Sequence, residues 1–144
     1  MKAADRKIVL NLLDRFRETE AFANGDRLIS GTDCALDSEE KVLRPTLSYF
    51  TLDQIRASET RSPVPTWIVD VASPTDRFYL MEDKVTEYFQ NGVQVAWEVF
   101  APFERVRIFR PVQETLELTG DDLCDAEPAL SGLSISVADI FKPR

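Results

Sequence analysis

The chain has 144 residues, 44% of them hydrophobic and 29% charged, with a formal net charge of −8 and no histidine. That length fits one domain that buries about 70% of its unfolded surface. The spread of acid excess along the chain disfavours tight unassisted DNA binding, because Lys and Arg supply most phosphate neutralisation, and the lack of histidine excludes His-based zinc sites and Ser–His or Cys–His nucleophile pairs.

Residues 4–23 are predicted as an amphipathic helix, with Ile8, Val9, Leu12, Leu13 and Phe16 at helical spacing. Asn24-Gly25 is its expected stop. Residues 27–36 and 42–50 read as two strands joined by the acidic turn Asp37-Ser38-Glu39-Glu40-Lys41. Pro45 in the second suits an edge, a bulge or a strand start. Leu52 to Ser58 reads as a short helical turn and Glu59 to Pro65 as a loop.

Trp67 to Ala72 is a near-continuous apolar run, as expected of a central strand covered on both faces. Ser73-Pro74 supplies an N-cap and a first helical proline, with Asp76 in the first turn. Phe78, Met81, Val85, Tyr88 and Phe89 form the buried stripe of that helix, and Asn91-Gly92 ends it. Val95 to Phe100, Arg105 to Arg110 and Glu114 to Leu118 read as a run of antiparallel strands. The tail from Leu130 to Phe141 is expected to pack on the core. The result is an α/β domain with a mixed sheet flanked by helices.

No apolar run approaches the ~18 residues of a membrane span. The first twenty residues lack the pattern of a signal or transit peptide. A cytoplasmic protein is expected, with Cys34 and Cys124 as free thiols. Any metal would be hard and held by oxygen ligands.

One acid stands out. Asp70 lies inside the apolar strand, on the side shared by Ile68 and Ala72 and opposite Trp67, Val69 and Val71. A carboxylate in a buried strand is costly unless paired, hydrogen-bonded or bound to metal. Lys84 borders the apolar stripe of the next helix, three residues after Met81 and four before Tyr88. Both groups can converge on the crevice at the strand ends, where open α/β sheets bind ligands. Residue types alone leave two readings open: a functional pair, or a hydrogen-bonded buried acid beside a snorkelling surface lysine. Glu82-Asp83 and Asp121-Asp122 read as solvated acids, and Trp97 as core. The five glycines form no phosphate-binding loop.

Four stretches carry a family resemblance. Val42-Leu43-Arg44-Pro45-Thr46-Leu47-Ser48-Tyr49-Phe50 resembles a strand written "rPDvsfv", and Ile68-Val69-Asp70-Val71-Ala72-Ser73-Pro74-Thr75 resembles "vvEvlSPs". Asp83-Lys84-Val85 with Tyr88, Gly92-Val93 and Trp97 resembles "eKv..Y...GV...W". Leu130-Ser131-Gly132-Leu133-Ser134-Ile135 with Phe141 resembles "LpGfslpl…lF". This order is similar to that of the Uma-two family of restriction-endonuclease-like proteins, within the PD-(D/E)XK nuclease superfamily. The resemblance implies a restriction-endonuclease-like mixed β-sheet flanked by helices, one nuclease-like domain over residues 1–144, and a Mg²⁺-dependent phosphodiesterase site. Two acids would hold the metal, and a lysine moved onto the helix, here Lys84, would polarise water or phosphate.

The sequence departs from that pattern. Thr46 stands where the first acid is expected, and Asp70, one methylene shorter, stands for the usual Glu. The acidic hairpin that usually precedes the family's first helix is expected to be missing, since the sequence starts at that helix. The resemblance, so qualified, implies a degenerate site: catalytic positions Asp70 and Lys84, metal ligand Asp70, Mg²⁺ binding weak or absent, and nuclease activity lost or weak. The expected role is regulatory or protein-interacting, through a homodimer or a protein partner. The alternative is an active Mg²⁺-dependent DNA endonuclease that recruits Asp76 or Glu98 in place of Thr46, with DNA as partner only in that case. A small-ligand domain is a third reading and needs a sizeable apolar pocket.

Overall fold

The structure is a computed structural model that describes residues 3–31, 34–35, 42–58, 63–72 and 78–144. The predicted helix over 4–23 is two helices, α1 (Ala3–Phe16) and α2 (Glu20–Ala23). Thr19 makes the break. Its hydroxyl donates to the Phe16 carbonyl at 2.6 Å and accepts from the Phe22 amide at 3.2 Å, ending one helix and capping the next. Gly25 then turns the chain at φ 104°, a left-handed value, and a side chain there would also meet Leu52 at 3.0 Å.

β1 (Arg27–Ser30) is followed by the two-residue strands β2 (Cys34–Ala35) and β3 (Val42–Leu43), which pair with each other. The single strand predicted over 42–50 is interrupted before β4 (Leu47–Phe50), because Pro45 has no N–H to give a ladder. α3 (Leu52–Ala57) begins with a capping box: Thr51 accepts from the Gln54 amide at 3.2 Å, and Gln54 accepts from the Thr51 amide at 3.0 Å.

β5 (Trp67–Ala72), α4 (Phe78–Gln90) and β6 (Val95–Phe100) form the expected strand–helix–strand unit. The Ser73-Pro74 cap and Asp76 lie outside the described residues. β7 (Arg105–Phe109) and β8 (Leu116–Thr119) complete a six-stranded sheet of order β1-β4-β5-β6-β7-β8. β5 and β6 are parallel; the other neighbours in this sheet are antiparallel. This is the mixed α/β arrangement of a restriction-endonuclease-like fold.

The alternation read from the sequence divides the two faces. Trp67 and Val69 of β5 face the larger core with Val95, Trp97, Val99, Val106 and Ile108. α1 covers that side with Ile8, Val9, Leu12 and Phe16. Four aromatic rings run through it: Phe16 to Tyr49 at 6.0 Å, Tyr49 to Trp67 at 6.3 Å and Trp67 to Trp97 at 4.9 Å between centroids. Ile68, Ala96 and Phe109 face the other side, where Val85 and Tyr88 of α4 cover them.

The tail does more than pack on the core. β9 (Leu123–Asp125) pairs with β10 (Ser134–Ser136), and α5 (Val137–Ile140) follows. Leu130, Leu133, Ile135, Val137 and Ile140 are buried in the larger core. The Trp97 indole N–H donates to the Asp125 carbonyl at 3.1 Å, and the Asn11 amide donates to the Ile140 carbonyl at 2.8 Å. The tail is therefore part of the same core as α1 and the sheet, and Ile135→Ala should lower stability by about 3 kcal/mol through transfer and cavity costs. Urea denaturation should show one transition moved to lower urea, not a separate early loss of the tail.

Cys124 is a free, fully buried thiol. Burial, with smaller contributions from the charges of Asp125 and Asp122, pushes its pKa up to about 12. The folded state therefore keeps the proton that the unfolded state releases near pH 8.5. Stability from this group is constant below that pH and falls as pH rises towards the folded value. In a Cys34→Ser background, Cys124 should resist thiol reagents at pH 8 and react fully once urea unfolds the chain.

Candidate functional site

The α4 side of the sheet carries a row of polar residues across four strands. The antiparallel register Leu47↔Val69 brings Thr46, at the entrance to β4, alongside Asp70. The two are clamped. The Thr46 amide donates to Asp70 Oδ1 at 3.3 Å, and the Val71 amide donates to Thr46 Oγ1 at 3.0 Å. Thr46 and Asp70, which the sequence reading joined through the family pattern, are therefore neighbours. Asp70 is half-buried.

The parallel register then sets Asp70 opposite Glu98 of β6, and the next antiparallel register sets Glu98 opposite Arg107 of β7. Register partners project to one face, so Asp70, Glu98 and Arg107 share it. Glu98 and Arg107 are 1% and 6% exposed. Arg107 Nη2 donates to Glu98 Oε1 in a buried ion pair. The guanidinium carbon also lies 4.8 Å from the Phe100 ring centre and 5.7 Å from that of Phe109. At the open rim, Arg105 meets Glu117 at 3.1 Å.

Lys84 is on α4, one residue before buried Val85, and is exposed. It stands on the helix that covers the Asp70 face of the sheet. Lys84 sits at the border of the stripe, and α4 turns the position just after it into the apolar contact. Glu82, Asp83, Asp121 and Asp122 are exposed, as expected. Among the described residues no group of three or more His, Cys, Asp or Glu side chains could hold a metal ion, and no described helix is long and apolar enough to cross a membrane.

Arg107 was not singled out by sequence reasoning. The signal was available: in Arg105-Val106-Arg107-Ile108-Phe109 the alternation sends Val106 and Ile108 to the larger core and both arginines to the other face. An arginine so placed on a central strand needs a carboxylate, and the adjoining strands set Glu98 and Glu117 opposite it.

The opposite face has its own polar contact. The Tyr49 hydroxyl donates to Asp26 Oδ2 at 2.6 Å, and the Leu52 amide donates to Asp26 Oδ1 at 2.8 Å. Burial first, then the bond to Asp26 and its charge, raise the Tyr49 pKa well above the usual phenol value. A groove of about 420 Å³ runs beside them, lined by Glu20, Asp26, Tyr49, Glu127, Leu130 and Ser131. Its acids and hydroxyls do not make the apolar pocket that a small-ligand reading requires.

The mixed sheet, its crossing helix α4 and the Asp70 strand define a PD-(D/E)XK-like nuclease fold. The chain matches the family described as "Uma2: Putative restriction endonuclease" over residues 1–138, and it belongs to that family. Among solved structures it is similar to "a putative nuclease belonging to DUF820 from Anabaena variabilis ATCC 29413", with a TM-score of 0.83 and 19% identity over 98% of this chain and 82% of that one. At that identity the likeness is one of fold. No curated protein matches the chain.

Removing one member of a buried ion pair leaves an uncompensated charge and costs about 3–5 kcal/mol, whereas replacing both costs far less. Glu98→Gln and Arg107→Met should therefore each destabilise strongly. The double variant should lose much less than the sum, as a double-mutant cycle by urea denaturation would read.

Proposed function

We propose that this chain is one nuclease-fold domain whose cleavage chemistry is lost or strongly weakened, and that its role runs through protein contacts, with a second copy or another protein. The observation that carries this reading is the state of Thr46. The position expected to supply a metal-binding carboxylate holds a neutral hydroxyl, and that hydroxyl accepts a hydrogen bond from the Val71 amide. A hard divalent cation takes carboxylate, carbonyl and water oxygens, and a magnesium ion demands near-ideal octahedral geometry. The donors here fit such a cation poorly. Asp70 is the one acid of the family pattern, its Oδ1 accepts from the Thr46 amide, and of the two acids that could be recruited, Asp76 and Glu98, the second is held by Arg107. The formal charge of −8 adds to this reading, since an acidic chain repels the phosphate backbone.

Within that reading Asp70 and Lys84 are the remains of the catalytic set, with Asp70 the remaining metal-type ligand. Titration calorimetry should give Mg²⁺ binding no tighter than millimolar, and supercoiled plasmid should stay intact with Mg²⁺ or Mn²⁺. Thr46→Asp combined with Asp70→Glu should strengthen Mg²⁺ binding at least tenfold, because it returns a second carboxylate to the clamp. Micromolar binding or plasmid nicking by the natural chain, abolished in Asp70→Ala, would overturn the reading in favour of an active Mg²⁺-dependent endonuclease.

A further inference from the structure

We infer that Arg107 is a built-in counter-ion: in this chain its guanidinium takes over the charge-neutralising place of a divalent cation beside the carboxylates of β5 and β6, and holds Glu98 out of metal binding. The inference rests on the non-cleaving reading above and explains how the fold tolerates that reading's charges.

Register supplies the first part of the argument. Asp70 and Glu98 are partners across a parallel pair, so their side chains leave the same face of strands about 4.8 Å apart. Two carboxylates so placed repel, and the repulsion is stronger where water is thin. Such a pair calls for a cation next to it. The cation that the register places in this row is Arg107, set between Glu98 of β6 and Glu117 of β8 and paired with Glu98.

The second part is how Arg107 is held. A long arginine loses much side-chain freedom when ordered. Here the cost is met by two rings on the same face, Phe100 at 4.8 Å and Phe109 at 5.7 Å. The guanidinium is thereby fixed over its carboxylate and shielded from water, with Glu98 and Arg107 both nearly fully buried. A surface ion pair of opportunity, such as Arg105 with Glu117 at the rim, has none of this enclosure.

A counter-ion that stands in for a metal differs from an ordinary structural pair in one respect. Removing it should leave two carboxylates able to take a divalent cation. Removing an ordinary pair should leave only a damaged core. The test is the melting temperature of the natural chain, Arg107→Met, Glu98→Gln/Arg107→Met and Asp70→Asn/Arg107→Met, each with and without Mn²⁺. Arg107→Met should melt lower than the natural chain and gain about 4 °C when Mn²⁺ reaches roughly ten times its dissociation constant. The natural chain and both double variants should gain little.

No gain in Arg107→Met would overturn the inference while leaving the non-cleaving reading intact. An equal gain in the natural chain would overturn both. A gain that survives in either double variant would place the ion elsewhere and overturn the inference. If Arg107→Met does not fold alone, refolding from urea with and without Mn²⁺ replaces the melting curve. Recovery only with Mn²⁺ supports the counter-ion role. No recovery with Mn²⁺, alongside a folded Glu98→Gln/Arg107→Met control, overturns it.

Discussion

The parallel pairing of β5 with β6 is the constraint on which the rest of the structure depends. A parallel pair cannot be closed by a tight turn; the chain must cross over, and it does so through α4. A strand with parallel neighbours is also normally covered on both faces. Hence α1 and the tail take one side and α4 the other. With a side-chain period of two, a slip of one residue would move Trp67 and Val69 out of the larger core and Asp70 into it. The apolar pattern therefore fixes the register, and the register sets Asp70 opposite Glu98. The polar row follows from packing the apolar residues.

The charges in that row are then handled by different physics. Asp70 lies at the less enclosed end. It is half-buried and receives a backbone N–H from Thr46, which meets part of its hydrogen-bonding need. Glu98 sits in the middle of the sheet, where solvent cannot help it. Its backbone neighbours are engaged in ladders on both sides, so a side-chain cation must do the work. Arg suits this position better than Lys would. Its planar guanidinium can bond a carboxylate and lie against two aromatic rings at once.

Much of this was legible in the sequence, and the parts that were not share a cause. The β5–α4–β6 unit carried long, regular patterns: six apolar-rich residues, a stripe at helical spacing, and Asn91-Gly92 as a stop. Those signals survive without any partner being known. The facing of Asp70 and Ile68 towards one side also followed from period two alone. β9 and β10 were missed because each is three residues long, too short for an alternation to register. The break at Thr19 was missed because a threonine inside an amphipathic pattern gives no warning that its hydroxyl will cap a new helix. The Glu98–Arg107 pair was hidden for another reason. Nine residues separate the two, and only the β6–β7 turn decides that they face each other.

The residues of the row make sense together rather than singly. A carboxylate at position 46 would add a negative charge beside Asp70, with Glu98 on the next strand, and only a cation of high charge could hold such a cluster. Thr46 removes that charge while its hydroxyl still accepts from the Val71 amide, so the backbone there keeps its bond. Arg107 adds a positive charge on the far side of Glu98 and cancels it. Asp70, at the half-buried end of the row, accepts from the Thr46 amide at Oδ1. Thr46 and Arg107 thus limit the repulsion around Asp70 and Glu98 by two separate routes, the first by adding no charge and the second by pairing with one.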